Sequence, residues 1–158
     1  MFRPRYGPKG RKRSKGCAVS EEVRTEYRGG CLCGALRWRA RGGPLFAGLC
    51  FCADCRKASG SAFIPFLAFP AAALDFTGAP RQHRSPSIRG SEAVRNFCPA
   101  CGGLVFGGEI GRDESHTLYA GSLDDPGLFR PTLAIFVRDR PQWAPLPPGL
   151  TLFDEMPG

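Results

Sequence analysis

Between residues 36 and 41 the chain alternates strictly, with Leu36, Trp38 and Ala40 apolar and Arg37, Arg39 and Arg41 charged. A period of two puts the two sets on opposite faces of a strand, so the pattern predicts a packed apolar face and arginines in water. Residues 45–49 form a short apolar approach after the Gly42-Gly43-Pro44 turn, and residues 62–69 form a longer apolar run. Pro65 marks that run as an edge strand or a bulge, because proline removes a ladder donor. Its aromatics Phe63, Phe66 and Phe69 read first as core, with lining a pocket as the alternative. Further strands are expected at residues 74–76, 93–97, 104–106, 116–120 and 133–137, and a short helical turn or loop at residues 56–60 ending at Gly60. Residues 77–93, rich in Gly, Pro, Ser and charge, read as connecting hairpins. The prediction is a single, mainly β domain of small antiparallel sheets.

Composition sharpens this picture. The 158 residues are 42% hydrophobic, enough for one domain with a buried core, and 21 glycines and 15 prolines oppose a helical bundle. The net charge of +8 is unevenly placed: seven of the 22 basic residues fall within residues 1–16, where no acidic residue occurs, leaving 15 against 14 acidic ones. That balance holds for residues 17–158 as a whole, and we divide the chain into a basic tail, residues 1–26, and a domain, residues 27–158. The tail reads as a solvated extension, with contact to nucleic-acid phosphates as the alternative. No apolar run reaches the ~20 residues that span a bilayer, and no secretory segment follows the basic start. Eight cysteines in such a chain point to metal ligation in a reducing compartment, and a cytoplasmic location is expected.

Four of those cysteines are spaced as two close pairs, Cys31-Leu32-Cys33 and Cys98-Pro99-Ala100-Cys101, each flanked by glycine that eases tight turning. Together they predict a four-thiolate structural site, zinc being preferred although an iron–sulfur cluster uses the same ligands. Cys50, Cys52 and Cys55 are three thiols without an obvious fourth. Three protein ligands leave a position for water or a substrate thiol, whereas a fourth would close the site. A centre of three thiolates is a weak Lewis acid, better suited to holding a soft sulfur than to forcing hydrolysis. His83 or His116 are the non-cysteine groups that could complete it as a second structural site. Asp54 is read as organising the turn, and Cys17 as a free thiol.

Taken together, these motifs resemble the glutathione-dependent formaldehyde-activating enzyme family, which also includes the core of centromere protein V. The resemblance rests on Gly30-Cys31-Leu32-Cys33-Gly34-Ala35, on Cys50-Phe51-Cys52-Ala53-Asp54-Cys55-Arg56 with Gly60, on Phe97-Cys98-Pro99-Ala100-Cys101-Gly102, and on Gly121-Ser122-Leu123-Asp124-Asp125-Pro126. It runs from about Tyr27 to Met156. It implies a β-tent-like assembly of small sheets around zinc, with two ions per chain: one structural at Cys31, Cys33, Cys98 and Cys101, the other associated with activity at Cys50, Cys52 and Cys55. The implied activity is that of a carbon–sulfur lyase joining formaldehyde and glutathione reversibly as S-(hydroxymethyl)glutathione. Arg56, Lys57 and Ser59, or Ser61, are the residues near the open site that would recognise such a substrate. Two departures stand out: many members carry histidine where this chain has Phe51, and a His-Ile pair where it has Ala134-Ile135. The alternative function is a non-catalytic, zinc-stabilised interaction module with a nucleic-acid-binding tail, or a thiol- or aldehyde-binding protein with little turnover. A monomer and a homodimer suit the sequence equally.

Overall fold

The computed structural model describes residues 26–157, so residues 1–25 of the basic tail, with Cys17, lie outside the described residues, while Glu26 already belongs to the first strand. Eleven strands form two sheets. Strands β1 (Glu26–Gly30), β2 (Arg37–Arg41) and β5 (Leu74–Thr77) make a small antiparallel sheet in the order β1-β2-β5. The other strands are β3 (Phe46–Cys50), β4 (Ile64–Pro70), β6 (Arg81–Pro86), β7 (Glu92–Phe97), β8 (Leu104–Gly107), β9 (Ser115–Tyr119), β10 (Leu133–Ile135) and β11 (Thr151–Leu152). They make one large sheet in the order β11-β10-β3-β4-β9-β8-β7-β6. Among the described residues there is one α-helix, α1 (Ala53–Ser59), closed by Gly60 in the left-handed conformation at φ 63°.

The arginine alternation behaves as the pattern predicts. Leu36, Trp38 and Ala40 are buried against the large sheet, while Arg37 pairs with Asp124, and Arg39 and Arg41 both pair with Asp75 at the surface. Such exposed pairs contribute only about 0–1 kcal/mol each, so Trp38 does more to fix the strand than the charges do. Trp38 Nε1 donates to Ser122 Oγ at 3.0 Å, and its ring leaves no room over Gly29, where an added Cβ would meet the ring at 2.5 Å. The Gly121–Pro126 stretch thus fastens the small sheet.

Two expectations are corrected. The sheets are not all antiparallel, because β10 runs parallel to both β3 and β11. A short apolar run carries no mark of the direction in which it will pair. Nor is the strand containing Pro65 at an edge, since β4 lies between β3 and β9. Its ladder with β9 begins at Phe66 and ends at Pro70, so the missing Pro65 N–H falls outside that ladder.

β4 is buried on both faces, which explains its unbroken apolar run. Leu67 and Phe69 enter the main core between the two sheets, together with Tyr27, Leu36, Trp38, Val105, Phe106 and Leu118. Ile64 and Phe66 face the other way, into a second cluster with Cys50 and Cys52. That second face carries the site.

His116 belongs to the main core: it is 2% exposed, stands edge-on to Phe76 and Phe106, and its Nδ1 has no hydrogen-bond partner. Burial lowers its pKa below the usual 6.5, partly offset by the Gly107 backbone and Asp113. A depressed histidine favours folding above its unfolded pKa, and that contribution is lost as pH falls, because the unfolded chain takes up the proton first. We expect stability to drop as pH falls below about 6.5, by at most about 1.4 kcal/mol per pH unit for one proton. His116→Phe should flatten that limb of the profile, measured as the difference in melting temperature between variant and wild type from pH 7 to 5. An unchanged difference across that range would remove His116 from the explanation.

Candidate metal centres

The first cluster is assembled by two tight turns from distant parts of the chain. After β1, Gly34 at φ 81° folds residues 31–34 back, its N–H donating to Cys31 O at 3.1 Å, and Leu36 N–H donates to Cys31 Sγ at 3.2 Å. After β7, Gly102 at φ 71° closes the second turn with its N–H on Cys98 O at 2.8 Å. The ligand atoms of Cys31, Cys33, Cys98 and Cys101 all lie within 4.8 Å of one another. Sγ of Cys33 is 3.6 Å from that of Cys31 and 3.7 Å from that of Cys98. A tetrahedral zinc with ~2.3 Å bonds places its sulfurs about 3.8 Å apart, so the donor set fits that ion. Burial would raise the Cys31 pKa, but the Leu36 N–H and the neighbouring thiols outweigh it and bring the value down to about 6. Cys33 is pushed up to about 11: the Ala35 N–H acts against this, and the neighbouring sulfurs prevail.

The second cluster is local in sequence. Strand β3 delivers Cys50, whose position is fixed from both sides by Ile64 of β4 and Ile135 of β10. Phe51 N–H donates to Ile135 O at 3.1 Å. Cys52 then begins α1 and accepts from Cys55 N–H at 3.4 Å, so the helix turn itself brings the second and third sulfurs together. The three sulfurs lie within 4.8 Å of one another, and no fourth donor joins them among the described residues. Cys50 and Cys55, together with the Cys55 and Asp54 N–H groups, lower the Cys52 pKa and so favour its thiolate.

This cluster opens on a cavity of about 390 Å³. Its lining combines the apolar Phe46, Ile64, Phe66, Ile135, Phe136 and Met156 with the polar Arg89, Arg95, Asp113, Thr117 and Tyr119. Alternation along β3, β4 and β9 turns Phe46, Cys50, Phe66 and Tyr119 to the same side. Gly107 leaves room beneath the phenol, since a Cβ there would sit 3.2 Å from the Tyr119 hydroxyl. Burial pushes the Tyr119 pKa up, keeping it an O–H donor. Phe136 is the one non-glycine residue with positive φ among the described residues, at φ 54°. Holding a bulky residue there costs about 1–3 kcal/mol, and it packs the ring against the Cys50 and Cys52 cluster.

The residues named from sequence distribute unevenly. All seven proposed ligands fall into the two clusters. Arg56, Lys57 and Ser59 do not line the cavity. Ser59 instead donates to Cys55 O at 2.8 Å, closing the helix. Asp54 accepts from Ile88 N–H at 3.3 Å and so ties the residue 87–91 loop to α1, a long-range contact where a role within its own turn was expected. His83 is exposed on β6 and His116 is buried in the main core, so neither joins the three thiols. Of the aromatics at 62–69, Phe66 lines the cavity, Phe69 is core, and Phe63 packs on Phe51 with ring centres 5.1 Å apart. Arg95 and Tyr119 were not singled out from sequence, because their relation to the cysteines exists only through the sheet register. Phe51 and Ala134, the two departures from the family pattern, lie in a single apolar cluster with Leu49, Ala62 and Ala144.

The fold and these sites define a mainly β domain with one four-thiol centre and one three-thiol centre at a cavity. The family model for the glutathione-dependent formaldehyde-activating enzyme matches residues 26–139, and the chain belongs to that family. No curated protein sequence matches it significantly. A crystal structure of a Rhodobacter sphaeroides protein is similar at 20% identity, covering 61% of this chain and 87% of that one with a TM-score of 0.46. That likeness is too slight to bear on function. Among the described residues no helix is long and apolar enough to cross a membrane.

Proposed function

We propose that the chain is a zinc-dependent carbon–sulfur lyase acting on adducts of glutathione with an aldehyde, S-(hydroxymethyl)glutathione being the simplest. The observation that carries this reading is three clustered thiols that no fourth donor joins among the described residues, at the edge of a cavity of about 390 Å³. Membership of the formaldehyde-activating family supports the choice of thiol and aldehyde.

Cys50, Cys52 and Cys55 would hold the active ion, and Cys31, Cys33, Cys98 and Cys101 the structural one. Zinc at the open centre would supply a positive charge that ionises an incoming thiol, ordinarily of pKa ~8.5, and holds its sulfur. Sulfur then attacks the aldehyde carbon, a C–S bond forms, the carbonyl π pair moves to oxygen, and that oxygen takes up a proton. The reverse reaction removes the proton and breaks the same C–S bond. Tyr119 donates a hydrogen bond to the oxygen as charge develops. Arg95 offers its guanidinium to a carboxylate of the thiol. The residue 87–91 loop, held by Asp54, limits water.

Time-resolved NMR of zinc-loaded protein with formaldehyde and glutathione tests the assignment. Adduct exchange should be faster than without protein and should return to the uncatalysed rate when a chelator removes the metal. Protein that is fully zinc-loaded, yet neither accelerates exchange nor perturbs glutathione, would defeat the formaldehyde assignment.

A further inference from the structure

The cavity lining is both polar and apolar, and a one-carbon aldehyde adds almost no apolar surface to glutathione. Across the large sheet, register aligns Arg95 with Gly107, Gly107 with Thr117, Thr117 with Ala68, and Ala68 with Phe46. This row spans four strand spacings of ~4.8 Å, on the order of 19 Å, with a cation at one end and an aromatic ring at the other. Three carboxylates also line the space, but each is engaged: Asp54 with Ile88 N–H, Glu92 with Arg84, and Asp113 with Glu109 N–H. Arg95, only 9% exposed, has Ser85 Oγ at 3.2 Å and no carboxylate partner among the described residues. The cavity therefore presents one buried guanidinium that a ligand anion would complete.

The other end is apolar. Phe46 is 48% exposed and Met156 39% exposed, and Phe46 stands edge-on to Phe66 with ring centres 6.1 Å apart. Phe66 opposes Gly48, and the next pair along the same two strands is Ile64 beside Cys50. A continuous apolar floor thus runs from the three thiols down to Phe46. Glutathione is polar along its length and formaldehyde adds a single carbon, so neither would cover that floor.

Resting on the function proposed above, we propose that the substrate is the glutathione adduct of an apolar aldehyde several carbons long. Its chain lies along Ile64, Phe66, Phe46 and Met156, while a glutathione carboxylate meets Arg95. The added carbon changes nothing in the balance of the reaction, since the C–S bond still forms or breaks at the carbonyl carbon with one proton exchanged at oxygen.

Stable thioethers separate binding from turnover. Zinc-loaded full-length protein labelled with ¹³C-methyl methionine offers only Met1 and Met156 as signals. It would be titrated with S-methylglutathione and with S-hexylglutathione. At about threefold or more per buried methylene, even partial burial of the five added carbons should make the hexyl compound at least about tenfold tighter, and it should shift the Met156 signal. Phe46→Ala should bring the hexyl-to-methyl ratio toward one, and Arg95→Gln should weaken both compounds alike. Equal affinities for the two thioethers, or a ratio unchanged in Phe46→Ala, would overturn the proposal. If formaldehyde exchange is accelerated but no chain-length preference is found, only this inference falls. If neither thioether nor glutathione binds the loaded protein, the proposed function falls with it.

Discussion

Cys98→Ala should leave little folded protein at 37 °C. Cys98 is 1% exposed and belongs to the main core, and its sulfur lies 3.7 Å from Cys33, a residue 65 positions earlier. The four-thiol cluster therefore joins the start of the small sheet to the far end of the large one. Because a structural metal site does not exist in the unfolded chain, its binding free energy is folding free energy. Loss of one ligand in four, together with a cavity in the core, should cost about 4 kcal/mol or more, against a total stability for such a domain of about 5–15 kcal/mol. The check is thermal unfolding followed by circular dichroism, with zinc counted in parallel. A melting temperature within a few degrees of wild type would mean that the four thiols do not hold the fold together.

Cys52→Ala should have the opposite profile, with the fold retained and the chemistry lost. Cys52 sits where β3 gives way to α1, and its sulfur serves both the cluster and the cap of that short helix. Loss of the cap alone costs about 0.5–2 kcal/mol, which the domain can sustain. Removing a ligand outright should reduce adduct exchange by more than the ~10- to 100-fold typical of groups that merely support one. Zinc content should fall from about two ions per chain to about one, with the melting temperature lowered by only a few degrees. Retention of both ions and of the exchange rate would show that the open site lies elsewhere. The contrast between the two variants separates a metal that holds the fold from one that meets substrate.

The two cysteine clusters were legible in the sequence to different depths. Cys50, Cys52 and Cys55 are neighbours along the chain, and a single strand-to-helix turn is enough to gather them. The pairing of Cys31 and Cys33 with Cys98 and Cys101 needed complementary spacing, and the resemblance to the family supplied the same grouping. The lining of the cavity was less legible. Arg56, Lys57 and Ser59 follow the cysteines closely in sequence, but the helix and its Gly60 cap leave them off the cavity lining. Arg95 and Tyr119 lie 40 or more positions downstream of Cys55 and reach the cavity because β7, β8, β9 and β4 pair in one particular register. The residue 87–91 loop, read only as a hairpin connection, becomes part of the wall through one hydrogen bond to Asp54.

What the sequence determined by itself was whatever depends on local periodicity and on ligand chemistry. Leu36, Trp38 and Ala40 had to share a face because strand side chains alternate, and seven clustered cysteines had to favour metal because thiolates are soft ligands. The tertiary structure alone decided the parallel placement of β10 beside β3, the central position of β4 despite Pro65, and the row that joins Arg95 to Phe46. Those features are set by which apolar surfaces find each other in the folded chain, and an apolar run of five residues offers the same surface to a partner running in either direction.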